Sequence, residues 1–326
     1  MLLTRRAALA AAISLCGFNA LPSASTAQSR ANAAVSTQPI LIEAAASAQT
    51  VNVMGRTLPA LPTMPTLTRK PGIVRGYVYD SNGKPLKGAQ IGVRSTIAGG
   101  FYSGAAAETD AKGYYEIKPP VGVAHFYCAG YAVDYGDGIA AVGLHPADGE
   151  VGSFATSTGE VENFVLLPYG ITNRADVQDN PGYAGNYYGG SLYVSWWVNE
   201  SGENGNPRNL PDKVQVEITL TPDGALIDGS PGRTIIVRKP VNGSVNTGVK
   251  INNIPIGRYK IAAKIVGAGP LRMRETAVSA DTPFGLQPRE ATGAAALLFR
   301  PDSAKAGLTI AAHGNWKSVQ ILLERP

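Results

Sequence analysis

The residues of this 326-residue chain that could do chemistry are few and widely spread. Its three histidines, His125, His145 and His313, lie far apart and lack the short spacings of metal ligands. Cys128 would need a base to act as a nucleophile. On a strand, His125 three residues away points to the opposite face, so Cys128 is expected to be a buried, inert thiol. His125 is expected to be a strand-tip or outward residue. Asp134-Tyr-Gly-Asp137-Gly138, with Asp148 and Glu150 following, gathers four carboxylates near one end of a β-rich segment. Calcium takes oxygen ligands from flexible loops, so Asp134, Asp137, Asp148 and Glu150 could form a calcium site, although the EF-hand spacing is absent. The alternative is an ordinary set of solvated turns. A carboxylate pair for glycoside hydrolysis finds no support in the spacing. There is no Gly-x-Ser-x-Gly elbow, phosphate loop or dinucleotide fingerprint, and no catalytic residue is assigned.

The aromatic residues are a better candidate. They form 7% of the chain, yet five lie in the seventeen positions Asn186–Gly202, NYYGGSLYVSWWVNESG, with Tyr183 just upstream. On a strand from Ser191 to Asn199, Leu192, Val194, Trp196 and Val198 would share the core face, and Tyr193, Ser195 and Trp197 the other. Rings on loops and outward strand faces bury large area at low entropic loss, which suits stacking on sugars. Tyr183, Tyr187, Tyr188, Tyr193 and Trp197 are therefore the candidate ligand-binding set, with a polysaccharide as ligand. The alternative places Tyr193 and Trp197 under the preceding domain or the proline-rich segment, as an internal interface.

Residues 1–27 have the form of an export signal: Arg5-Arg6, an apolar Ala-rich run, and a small-x-small site ending at Ala27. The run is shorter than the ~20 apolar residues that span a bilayer. Either the general secretory or the twin-arginine route fits. Cys16 lacks the preceding small residue that lipidation needs. The protein is expected outside the cytoplasm, secreted, periplasmic or at the cell surface, with no membrane span and one cysteine, Cys128, after cleavage. Over residues 73–326 the charges balance at 23 basic and 23 acidic residues, which leaves no electrostatic footprint for nucleic acid.

The segments that must position these residues are β-rich. Residues 28–72 are expected to form a disordered or extended proline-rich linker. Within it, Ile40-Leu41-Ile42 and Val51-Asn52-Val53 could form short strands that pair with a partner. From residue 73, short alternating segments are separated by turns such as Ser81-Asn-Gly83 and Thr109-Asp-Ala-Lys-Gly113. With 38 glycines and 23 prolines and no helical periodicity, the chain should be all-β. Two tandem antiparallel β-sandwiches are expected, at 73–168 and 186–326, joined by a connector at 169–185.

The ordered string Gly76-x-Val78-x-Asp80-x-x-Gly83-x-Pro85-Leu86-x-Gly88-Ala89, then Thr109-Asp110-x-x-Gly113-x-Tyr115, Pro120-x-Gly122 and Gly130-Tyr131, resembles the carboxypeptidase regulatory-like domain. The resemblance implies a transthyretin-like sandwich over 73–168 and an accessory or structural role without catalytic residues. The chain departs from that pattern at Ala124, where the family carries an aromatic residue. Pro255-x-Gly257-x-Tyr259 echoes the same corner and marks a second, divergent sandwich. A secreted, non-catalytic binding or structural module follows. Its partners would be a polysaccharide, a cell-surface protein or a second copy of itself. It needs no cofactor, calcium aside.

Overall fold

The computed structural model describes residues 38–97, 101–172, 174–199, 206–243, 247–277 and 282–326. The export signal at 1–27 lies outside them. The regular structure of the described residues is nearly all strand, and none of their helices is long and apolar enough to cross a membrane.

The described part of the segment expected to be a linker contains two strands, β1 (Ile40–Glu43) and β2 (Thr50–Asn52). Alternation in Ile40-Leu41-Ile42 marks the first, and half its side chains are covered. The partners of both strands lie about 200 positions downstream within the same chain. Proline-rich residues 58–69 then run on without regular structure, as missing backbone donors dictate.

The first sandwich follows. It comprises β3 (Val74–Asp80), β4 (Gln90–Ile97), β5 (Phe101–Glu108), β6 (Tyr114–Ile117), β7 (Val123–Tyr135), β8 (Gly138–Gly143), β9 (His145–Pro146), β10 (Phe154–Ala155), β11 (Glu160–Val161) and β12 (Phe164–Leu166). One sheet runs β10-β7-β4-β5 with β8 added on β7, and the other runs β11-β3-β12-β9 with β6 added on β3. Between them Val74, Val78, Ile91, Val93, Tyr115, Phe126 and Phe164 are buried.

Two local features account for its shape. Phe154 on β10 pairs with Ala124 and packs its ring 5.6 Å from Phe126, so an aromatic from another strand fills the corner at which Ala124 leaves space. In β7 an irregularity between Phe126 and Cys128 opposite β4 shifts the register. A one-residue shift exchanges the two faces. Beyond it Ala129 points into the core and Cys128 points out. The alternation that an unbroken strand would give Ala124, Phe126, Cys128 and Gly130 is broken there.

The second sandwich contains β13 (Gly190–Trp196), β14 (Val198–Asn199), β15 (Leu210–Pro211), β16 (Gln215–Leu226), β17 (Ile235–Pro240), β18 (Gly248–Ile254), β19 (Gly257–Ile265) and β20 (Gly269–Pro270). It continues with β21 (Arg272–Thr276), β22 (Gly285–Gln287), β23 (Glu290–Thr292), β24 (Ala294–Leu298), β25 (Arg300–Pro301), β26 (Trp316–Lys317) and β27 (Val319–Glu324). Its sheets run β1-β17-β16-β19-β24-β22 and β2-β18-β13-β27-β21-β23. The strands β1 and β2 are thus edge strands of the two sheets, each in parallel register, Ile40 opposite Ile235 and Val51 opposite Ile251. Topologically, the first sandwich is inserted between the second strand and the thirteenth. Buried Lys239 holds the arm down: its ammonium donates to the carbonyls of Ala45, Ala46 and Ala48 at 3.1, 2.6 and 2.8 Å.

Candidate functional site

The five candidate aromatics separate into two groups. Tyr187 and Tyr188 are interior, 1% and 0% exposed. The Tyr187 hydroxyl donates to the Pro181 carbonyl at 2.8 Å. Tyr188 packs with Val165 and Leu167 of the first sandwich, Leu58 and Met64 of the arm and Ala147. Its ring stands edge-on to His145 at 5.3 Å. Neither ring can stack on a ligand. The Gly-rich surroundings of both tyrosines indicate a surface loop, but both rings are buried and the crossing segment 300–318 lies against their backbone carbonyls. The Trp316 indole donates to the Tyr188 carbonyl at 3.0 Å, and Gly314 lies against the Tyr187 carbonyl so closely that a side chain there would collide with it.

Trp197 is 63% exposed and Tyr183 50%. Trp196 is the last residue of β13, so Tyr193 and Trp197 do not share one strand face. The inward set on β13 is Leu192, Val194 and Trp196, each at most 1% exposed. Tyr193 is half-buried, opposite Lys250 on β18 and Gln320 on β27.

Lys250 and Gln320 also line a cleft of about 720 Å³, with Tyr183, His313, Leu308 and Ile310. The rings of Tyr183 and His313 meet at 5.6 Å and 58°. Leu308 and Ile310, 67% and 60% exposed, supply apolar surface, and Lys317 pairs with Asp302 at 2.6 Å on the wall. The pattern of β13 pointed to this region, but His313, Leu308 and Ile310 lie more than 120 positions from Tyr183. No local periodicity marks them.

The four candidate calcium ligands do not assemble. Asp134 and Asp137 sit at the exposed β7–β8 hairpin, beside the second sandwich. Asp148 and Glu150 sit past β9, where the Asp148 carboxylate accepts the Glu150 amide at 3.0 Å and closes its own turn. Among the described residues no group of three or more His, Cys, Asp or Glu is placed to hold a metal. Asp134 instead borders a groove of about 640 Å³ with Asp80 and Asp228. Both of those carboxylates are engaged in loop closure. Asp80 accepts the Asn82 and Lys84 amides, each at 2.9 Å, and Asp228 accepts the Ser230 amide and hydroxyl. Ser81 and Asn82 of the first sandwich also reach Asp228, so this pair of turns clasps the two sandwiches together.

The clasp is one of several ties. The Tyr135 hydroxyl donates to the Gly257 carbonyl at 2.8 Å and accepts the Phe299 amide at 3.0 Å. Asn315 donates to the Ala141 carbonyl at 2.8 Å. The Cys128 thiol donates to the Ala306 carbonyl at 3.4 Å, and burial pushes its pKa up, which disfavours the nucleophilic thiolate. At Gly130 and Gly143 the crossing segment approaches too closely for any Cβ, 2.0 Å from Thr309 and from the His313 carbonyl respectively. One hydrophobic core runs through both sandwiches without a break.

No protein-family model matches the chain, and no curated protein sequence does. Among solved structures it is similar to the Bacillus anthracis TIE protein, at 15% identity and a TM-score of 0.30, over 77% of this chain and 33% of that one. A Streptococcal ancillary pilin gives 11% identity and a TM-score of 0.21, over 78% and 62%. A variant of the shaft pilin SpaA from Lactobacillus rhamnosus GG gives 13% identity and a TM-score of 0.21, over 78% and 97%. The chain thus spans about a third of the TIE protein and under two thirds of the ancillary pilin. At TM-scores this low, its function has to come from its own geometry.

Proposed function

We propose that the protein is a non-catalytic structural module of an assembly outside the cytoplasm, working as one rigid block of two fused β-sandwiches. The observation that carries this reading is the fusion itself: a shared core, an inserted first sandwich, and buried hydrogen bonds such as Tyr135 to Gly257 across the junction. Modules joined only by a linker move relative to one another, whereas a large apolar junction abolishes that freedom. Of the residues that looked like a site, Tyr188 packs into this junction and Asp148 closes its own turn. The export signal and the resemblance to the carboxypeptidase regulatory-like domain support an accessory role at the cell envelope. Its partners are cell-surface proteins or further copies of the chain. Scanning calorimetry tests the block: a single cooperative transition with equal calorimetric and van't Hoff enthalpies is expected, and two separable transitions would refute it.

A second reading rests on the cleft at Tyr183. Its half-exposed ring, braced by His313, with Lys250 and Gln320 beside it, suits a polysaccharide segment. Pull-down on insoluble cell-wall and plant polysaccharides, comparing the wild type with Tyr183→Ala, checks it. Retention that does not depend on Tyr183 would dismiss the cleft.

A further inference from the structure

The sheet edges of this molecule are treated unequally. In the second sandwich β1 and β2 close one side of each sheet. The opposite edges, β22 and β23, are three residues long; β22 runs into Pro288, and Glu290 of β23 is paired with Arg272. In the first sandwich β9, β10 and β11 have two residues each, and β6 has four and carries charged Glu116. The β8 edge is met by the crossing segment, where the Ala141 amide donates to the Ser303 carbonyl. These are the usual ways of blunting an edge.

The strand β5 carries a charge only at its last residue, Glu108, and has none of these devices before it. It is eight residues long, ends its sheet, and pairs with β4 in unbroken register from Gln90–Glu108 to Ile97–Phe101. In an antiparallel ladder alternate residues turn their N–H and C=O groups away from the partner, so among the described residues β5 offers a row of unpaired groups along its free side. The stretch Ser103-Gly-Ala-Ala-Ala107 holds no charge, no proline and no β-branched residue. Ser103, Gly104 and Ala106 are exposed, while Ala105 and Ala107 rest on the core.

We infer that β5 is an assembly edge and that its occupant is β5 of a second copy, running antiparallel across a twofold axis. Recognition of a foreign strand draws specificity from pockets that read alternate side chains. Side chains as small as these form no pockets, but they fit themselves. Centred on Ala105, the pairing sets Ser103 opposite Ala107 and Gly104 opposite Ala106, with no like charges opposed. Such a contact is isologous and closed, the commonest symmetry of homo-oligomers. It joins the β10-β7-β4-β5 sheets of two molecules into one. The inference rests on the structural-module reading and names its partner.

The test uses the full chain with Cys16→Ser and Cys128→Ser, to which Ala105→Cys is added. Residues directly opposed in an antiparallel pair have Cβ atoms roughly 4.5–5.5 Å apart, so mild oxidation or a short bis-maleimide should join two copies at position 105. A cysteine at Val121, 82% exposed on a turn, is the collision control. Light scattering of the unlinked protein should show a mass that doubles with concentration. The double variant Gly104→Lys/Ala106→Lys opposes two lysine pairs and should restore the monomer while keeping a single calorimetric transition. A monomer at all concentrations, equal cross-linking at positions 105 and 121, or a dimer that the lysines leave intact would each overturn the inference. If the protein stays monomeric and still unfolds in one transition, the pairing fails and the rigid block stands. Two transitions remove the block.

Discussion

Tyr135 and Gly257 lie 122 positions apart and are joined by one hydrogen bond of 2.8 Å, buried at the junction of the two sandwiches. The same hydroxyl accepts the Phe299 amide, so a single phenol satisfies groups from β19 and from the link between β24 and β25. The ring stacks near Phe284 at 6.0 Å and stands edge-on to Trp316 at 5.7 Å. Tyr188, also at the junction, has a buried hydroxyl with no partner among the described residues.

Removing the same atom from these two tyrosines should therefore act in opposite directions. Tyr135→Phe strands a buried carbonyl and a buried amide and should destabilise by about 1–3 kcal/mol. Tyr188→Phe deletes a hydroxyl that has lost water and gained nothing, and should be neutral or stabilising. Chemical denaturation of the two variants beside the wild type checks the contrast. A loss at Tyr188 equal to that at Tyr135 would contradict it.

The arm should depend on Lys239. An ammonium has three donors, and here each meets a carbonyl of Ala45, Ala46 or Ala48. Lys239→Met keeps much of the volume but leaves those carbonyls unanswered. Hydrogen exchange should accelerate at 40–52 in the variant, with little change in β4 or β7. Uniform acceleration through the whole chain would show that the arm does not open on its own.

Neighbouring tryptophans should report opposite environments. Trp196 is 1% exposed and Trp197 63%. Trp196→Ala should remove about 3–5 kcal/mol, the usual loss for a large core side chain, and Trp197→Ala no more than about 0.5 kcal/mol. Acrylamide quenching should fall sharply in the second variant only. If Trp197→Ala left quenching unchanged, its ring would have to be covered in solution, as a wider interface would require.

Two buried groups near Asp148 set a pH window. Burial pushes the Glu162 carboxyl from 4.5 up to about 8, reinforced by the negative charges of Asp148 and Glu160. Burial lowers His145 from 6.5 to about 4, partly opposed by Asp148. A carboxyl whose pKa is raised on folding contributes stability at low pH that is lost as pH climbs from 4.5 toward 8. A histidine whose pKa is lowered on folding contributes stability at high pH that is lost as pH falls from 6.5 toward 4. The two slopes offset one another between 4.5 and 6.5. Above that only Glu162 acts, at about 1.4 kcal/mol per pH unit. Thermal unfolding should thus show a plateau with a decline toward pH 8, and Glu162→Gln should abolish the alkaline decline. A wild-type midpoint that rises toward pH 8 would refute the assignment.

The sequence makes local pattern legible and leaves distant covering hidden. Leu192, Val194 and Trp196 alternate into the core as their spacing demands, and Tyr259 fills its corner as its motif implies. Its hydroxyl donates back to the Pro255 carbonyl at 2.8 Å. Alternation fails in β7, where one extra residue reverses which face Cys128 occupies. Ile40-Leu41-Ile42 has the pattern of a strand, but nothing in it names a partner near residue 235. Tyr187 and Tyr188 have the chemistry of a binding loop and are buried because distant segments pack on them: the first sandwich and the arm on the Tyr188 ring, and the 300–318 segment on both backbone carbonyls. The same distance hides the cleft of Tyr183 and His313.

The insertion of the first sandwich also fixes an order of events during synthesis. The strands β1 and β2 leave the ribosome before either of their partners, β17 and β18, exists. The intervening sandwich contains all its own strands and can close while they wait. Two unpaired strands, one of them the apolar Ile40-Leu41-Ile42, are therefore exposed over nearly two hundred residues of elongation. A chain that folds in this way benefits from a holding chaperone early and completes its architecture only near its last strands.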